Sequence, residues 1–126
     1  MNLPISIGHD IVEIKRIQSA YQKYGDKFLQ KIYTPNEIKY CFTKKNPFPS
    51  LASCFAAKEA VSKAFRCGIG PQFHWKSAEI NHQTSGCPII TLDQLGQNLL
   101  KQLHGSDVLI TLTDIQSIAS AIALLI

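Results

Sequence analysis

The chain changes hydrophobic period several times, and each change marks an element. Residues 3 to 10 form an apolar run that reads as a strand. From about Val12 the spacing turns helical, with Ile14, Ile17, Tyr21, Tyr24 and Phe28 recurring on one face and Gly25 interrupting it. Thr34-Pro35-Asn36-Glu37 has the form of a helix start: Thr34 caps free amides, Pro35 suits the first turn, and Glu37 completes a capping box. Asn46-Pro47-Phe48-Pro49-Ser50 predicts a loop, and a long central helix runs from there to Cys67, with Gly68 at its C′ position. Residues 76 to 81 and 88 to 92 predict strands around a hairpin turn at Ser85-Gly86-Cys87-Pro88. Asp93 then caps a helix through about His104, ended by Gly105, and 108 to 114 and 118 to 126 carry the β-branched and apolar residues of buried strands. This order predicts one α+β domain over residues 1–126, with a mostly antiparallel sheet and a long central helix.

Composition narrows the function classes. At 126 residues the chain has room for one modest core and about one site, and a site shared between subunits suits so small a domain. No apolar run approaches the roughly 18 residues that cross a bilayer, and Met1-Asn2-Leu3-Pro4 lacks the basic-then-apolar pattern of a signal peptide, so a soluble cytoplasmic protein is expected. Cys41, Cys54, Cys67 and Cys87 are widely spaced, which argues against a compact zinc site and reads as reduced structural thiols. The net charge of +4 is mild, but cations gather in the first half, at Lys15, Arg16, Lys23, Lys27, Lys31, Lys39, Lys44 and Lys45, as for an acidic partner or a solvated helix face. These cations are not interleaved with an aromatic platform and no nucleic-acid motif is present, so nucleic acid is not the expected partner.

Two stretches carry candidate chemistry. Asp10 sits beside Gly8 and His9 at the predicted end of the first strand, where a glycine lets backbone and ligand approach closely. Glu59, Lys63 and Arg66 fall at i, i+4 and i+7 of the central helix and so share a face. One acid and two cations there can address a magnesium ion and the phosphates it binds, and magnesium needs only one or two protein carboxylates. Each residue also has a structural reading: Asp10 as an N-cap, and Glu59 with Lys63 as an ordinary i,i+4 pair. His9, His74, His82 and His104 show no metal-ligand spacing and read as structural or exposed.

Taken together these residues resemble one family, the holo-acyl-carrier-protein synthases, the small trimeric phosphopantetheinyl transferases. The resemblance rests on Gly8-x-Asp10-Ile11-Val12-Glu13, Arg16, Thr34-Pro35-x-Glu37, Phe55-Ala56-Ala57-Lys58-Glu59-Ala60, Lys63-Ala64, Gly68-Ile69-Gly70 and Gly86-x-Pro88, and covers nearly the whole chain. It implies transfer of the phosphopantetheine arm of coenzyme A to a serine of apo acyl carrier protein, with release of adenosine 3′,5′-bisphosphate, in the service of fatty acid biosynthesis. It implies that Asp10 and Glu59 hold Mg2+ against the diphosphate, that Lys63 faces the phosphates, and that Lys58, Gly68 and Gly70 help bound the cofactor site. Metal-bound water, Glu59 and Lys63 are the candidate acceptors of the serine proton, and a metal-associated water is the preferred one. Arg16 would meet the acidic carrier protein, with Lys15, Lys23 and Lys27 extending that surface, and the active site would lie between subunits of a homotrimer. The chain departs from the family at Cys54, where many relatives have Arg, and at Asp114, where they have His. Thr111 and Thr113 keep hydroxyls on one strand face and are expected to reach the ligand. The alternative is a noncatalytic module that binds coenzyme A or carrier protein.

Overall fold

The structure is a computed structural model that describes residues 3–126. Its centre is the helix α4 (Phe48–Ala64), whose sequence is apolar around most of its circumference and is therefore surrounded on most sides. Leu51, Ala52, Ala56, Ala57, Ala60 and Val61 are fully buried. The alanines have a consequence for the sheet beside them, because small side chains let neighbouring backbones come close. Strand β1 (Ser6–Glu13) pairs antiparallel with β5 (Ile118–Leu125), and β5 pairs antiparallel with β4 (Val108–Asp114), giving the order β1-β5-β4. The inward residues of β5, Ala119, Ala121, Ala123 and Leu125, are buried against α4.

Helices α1 (Ile14–Tyr24) and α2 (Asp26–Ile32) are one helical run broken at Gly25, whose φ of 60° closes α1 and opens α2. Helix α3 (Pro35–Phe42) carries the expected capping box: the Glu37 amide donates to Thr34 Oγ1 at 3.3 Å and the Thr34 amide donates to Glu37 Oε1 at 2.8 Å. A separate hairpin pairs β2 (Ala78–His82) with β3 (Pro88–Leu92), preceded by a 3-10 turn at Trp75–Ser77. Helix α5 (Gln94–Gln102) starts where expected, Asp93 Oδ1 accepting from the Gly96 amide at 2.9 Å. The α+β class, the antiparallel pairing and the long central helix are as the sequence predicts.

Four details differ. Strand β1 continues three residues past Asp10, because Ile11 to Glu13 still find ladder partners in Ser120 to Ile118. Asp10 is thus a mid-strand residue opposite Ala121, and the N-cap of α1 is Glu13. Helix α4 stops at Ala64, so the left-handed position directly after the cap falls on Arg66, at φ 62°, and Gly68, the residue expected there, is left-handed as well, at φ 66°, but two residues further on. Arg66 consequently lies outside the helical face of Glu59 and Lys63. The final strands are buried on one side only: Ile7, Ile11, Leu109 and Ile122 stand exposed on the outer face of the sheet, between 40% and 64% accessible.

Candidate active site

The site is set by how closely β1 lies on α4. A Cβ placed on Gly8 would land on the carbonyl oxygen of Ala60 and within 2.7 Å of the Ala64 amide nitrogen, so glycine alone fits there. Asp10 faces the same side of β1 as Gly8, and Glu59 and Lys63 flank Ala60 and Ala64 on α4. The contact made by Gly8 therefore brings the two carboxylates and the lysine together. Lys63 Nζ donates to Asp10 Oδ1 at 3.1 Å and to the His9 carbonyl at 3.0 Å. The Asp10 side chain is largely shielded, while that of Lys63 is half-exposed.

Glu59 is electrostatically part of the same group. Its carboxyl is pushed above the usual carboxylate range, first by partial burial and then by the negative charge of Asp10, while Lys63 and Arg16 pull it back down. Arg16, one turn into α1, thus reaches the same charge cluster from a third element. Two neighbouring carboxylates, one of which raises the energy of the other's charge, fit a magnesium ion held by two protein ligands and completed by other oxygens. Among the described residues no cluster of three or more His, Cys, Asp or Glu side chains is arranged to hold a metal ion.

Lys58 departs from its expected role. Its side chain is fully buried and its ammonium is saturated, at 2.8 Å each, by Glu37 Oε1 and the carbonyls of Trp75 and Ala78. No donor remains for a cofactor, because an ammonium has three. Glu37 Oε2 meanwhile accepts from the Ile80 amide at 2.7 Å, so the pair ties α3, α4 and the β2 hairpin together. Sequence reasoning found Glu37's cap but not this second duty, since its partners lie far away in the chain; Lys58 directly after the apolar Phe55-Ala56-Ala57 was the available signal.

The remaining predicted residues divide. Gly68 and Gly70 lie in the turn after α4, where Gly70 pairs with Phe73 through an amide-to-carbonyl bond of 2.9 Å. Thr111 and Thr113 are on the outer face of the sheet, opposite Ile122 and Ser120, on the other side from Asp10 and two strands away from β1. One chain does not bring them to the carboxylates. Lys15, Arg16, Lys23 and Lys27 are all exposed, but Lys15 turns toward a groove with Gln18, Gln22 and Gln116 and away from Arg16. Cys54 is buried, and Asp114 accepts from Ser53 Oγ at 3.4 Å beside a cavity of about 220 Å³ that Cys54, His82 and Pro88 also line. His9 Nε2 lies 2.9 Å from Ser120 Oγ, and His82 stacks on Tyr40 with ring centres 4.0 Å apart.

The profile of the 4'-phosphopantetheinyl transferase superfamily matches residues 6–121. The chain belongs to that superfamily, in its holo-[acyl-carrier-protein] synthase class. It is 44% identical over 118 residues to the holo-[acyl-carrier-protein] synthase of Chlamydia muridarum, covering 94% of this chain and 91% of that one. Its fold superposes on the holo-[acyl-carrier-protein] synthase of Neisseria meningitidis with a TM-score of 0.90 at 30% identity, over 98% and 99% of the two chains. The Helicobacter pylori enzyme, solved in complex with coenzyme A, gives a TM-score of 0.85 at 30% identity, over 95% and 99%.

Proposed function

We propose that this chain transfers the phosphopantetheine arm of coenzyme A to a serine of apo acyl carrier protein, with adenosine 3′,5′-bisphosphate as the second product. The observation that carries the reading is the convergence of Asp10, Glu59 and Lys63, held by the glycine contact between β1 and α4. Asp10 and Glu59 would hold Mg2+, which when bound neutralises charge on the diphosphate and the departing phosphate. Lys63 Nζ, already oriented by the His9 carbonyl, is placed to turn from Asp10 to a phosphate oxygen once a cation takes up the carboxylate. Paired with the Asp10 carboxylate, it serves here as a cation and not as the base. Of the remaining candidate acceptors of the serine proton, Glu59 and a metal-associated water, the water is the preferred one, because magnesium held by Glu59 favours its carboxylate and weakens it as a base. In-line positioning of the serine supplies the rest of the advantage.

Arg16, with Lys23 and Lys27 further along the same pair of helices, suits an acidic carrier surface, where rim charges raise the association rate and are screened by salt. A homotrimer accounts for the uncovered outer sheet face and for Thr111 and Thr113, which can approach the carboxylates only from a neighbouring copy. No helix among the described residues is long and apolar enough to cross a membrane, in keeping with a cytoplasmic place of action. The test is the intact mass of an apo acyl carrier protein after incubation with the chain, coenzyme A and magnesium. A magnesium-dependent gain of one phosphopantetheine, lost in Asp10→Ala at unchanged thermal stability, is expected. Carrier protein that binds but stays unmodified would establish the noncatalytic module instead.

A further inference from the structure

The chain balances the charge of its own carboxylate cluster. Asp10 and Glu59 are two acids, and Lys63 and Arg16 are the two cations that pull on Glu59. Of these cations only Lys63 lies within ion-pair distance of either carboxylate, with Nζ 3.1 Å from Asp10 Oδ1 and 3.0 Å from the His9 carbonyl. It therefore holds an oxygen of the carboxylate that the reading above gives to a divalent cation. The Asp10 side chain is 17% accessible and that of Lys63 52%, so the lysine is the member of the pair with room to move. Its stem is anchored on α4 four residues after Glu59, and an ammonium that leaves Asp10 stays within reach of an anion placed against the two carboxylates.

Charge balance then decides what can enter. A bare divalent cation at Asp10 must displace the ammonium or sit beside it, and either way the cluster gains two positive charges with no anion to meet them. A bare diphosphate diester brings two negative charges against two carboxylates. The two together add no net charge, and the phosphate oxygens give the displaced ammonium a charge-assisted hydrogen bond in place of the one it left. Resting on the transferase reading above, we infer that Lys63 is a latch on the metal site: it keeps the Asp10 carboxylate from a free divalent cation and yields it to a cation accompanied by the diphosphate of the donor. Metal and coenzyme A are thus taken as a coupled pair, each raising the affinity of the other by the same factor. Direct contact between cation and diphosphate couples them in any protein; the latch is the additional part that Lys63 carries.

The test titrates the full chain with Mn2+, whose free concentration is read from its EPR signal, with and without coenzyme A, in the wild type and in Lys63→Met, which keeps the stem and removes the charge. Couplings of this kind span about 5–150-fold, and the wild type is expected to bind Mn2+ at least about tenfold tighter with coenzyme A than without. Lys63→Met is expected to bind Mn2+ alone at least about fivefold tighter than the wild type and to show a coupling factor smaller by about the same amount. An affinity for Mn2+ alone that does not rise in Lys63→Met overturns the inference, as does an unchanged coupling factor. Arg16→Met separates the contact from the general field, because it removes the other cation acting on Glu59 and leaves the ion pair in place; its gain in Mn2+ affinity should be clearly smaller, and an equal gain overturns the latch. Asp10→Asn/Lys63→Met should lose the gain, and a gain that survives there puts the ion elsewhere and overturns the inference too. Lys63 and Arg16 are both exposed, so neither single variant removes a buried contact on which folding depends. If the wild type modifies no apo carrier protein, the transferase reading fails, and the Mn2+ titrations without coenzyme A still decide whether Lys63 closes the site.

Discussion

Replacing Lys58 by Met tests whether this lysine serves the cofactor or the fold. Its ammonium makes three contacts of 2.8 Å in a fully buried position, one to the Glu37 carboxylate and two to the Trp75 and Ala78 carbonyls. Met preserves the stem's volume and removes the charge, which leaves Glu37 buried without its counter-ion and both carbonyls without their lysine donor. Breaking one side of a buried ion pair costs about 3–5 kcal/mol. Against a total stability of about 5–15 kcal/mol this is a large share, and for a chain of this size it corresponds to a drop in Tm of roughly 10–20 °C. Glu37→Gln in the same chain removes the stranded charge while keeping an amide oxygen for the Thr34 or Ile80 amide, so Lys58→Met/Glu37→Gln should recover much of the loss. The assay is urea unfolding of the two single variants and the double variant, with the KM for coenzyme A measured below the transition. Wild-type stability in Lys58→Met with a raised KM for coenzyme A would refute the reasoning and return Lys58 to the cofactor surface.

Gly8→Ala should separate β1 from α4. The added methyl meets backbone at Ala60 and Ala64, an overpacking that costs about 1–3 kcal/mol or more, and a displacement approaching 1 Å between Asp10 and Glu59 should lower kcat about 100-fold; urea unfolding and steady-state transfer check both effects. The Glu59 carboxyl should titrate above its ordinary value of 4.5 in a carbon-detected NMR titration and move down in Asp10→Asn, which removes the neighbouring negative charge. Because this folded-state pKa is raised, Glu59 costs stability above it and that cost is relieved as pH falls; the same shift should raise the acid limb of activity, and saturating magnesium, which favours the carboxylate, should lower it. Burial pushes the Cys41 thiol up to about 12 and the Cys54 thiol up as well, so iodoacetamide at pH 8 should label exposed Cys87 first and leave Cys41 and Cys54 unlabelled until denaturant is added, as peptide mapping would show.

Much of this protein is legible in its sequence because much of its structure is local. The capping box at Thr34 and Glu37, the cap at Asp93, the break at Gly25 and the apolar circumference of α4 each depend on residues within a few positions of one another. The i,i+4 spacing of Glu59 and Lys63 is likewise a property of any helix and survives in the structure. What sequence order cannot carry is the identity of partners that pack from far away. Lys58 and Lys63 lie five residues apart on one helix, yet one faces the Glu37 carboxylate and the hairpin while the other faces Asp10, and only the packing of α3, β1 and β2 around α4 assigns them to opposite fates. The length of β1 was decided in the same way, by ladder partners in β5, which moved Asp10 from a strand end into the middle of a strand. The faces of β4 were decided by its register with β5, which turned Thr111 and Thr113 outward. Local rules set which residues form a helix or cap it; the burial of a charge and the pairing of a strand depend on what the rest of the chain brings alongside, and those contacts exist only once the fold has closed.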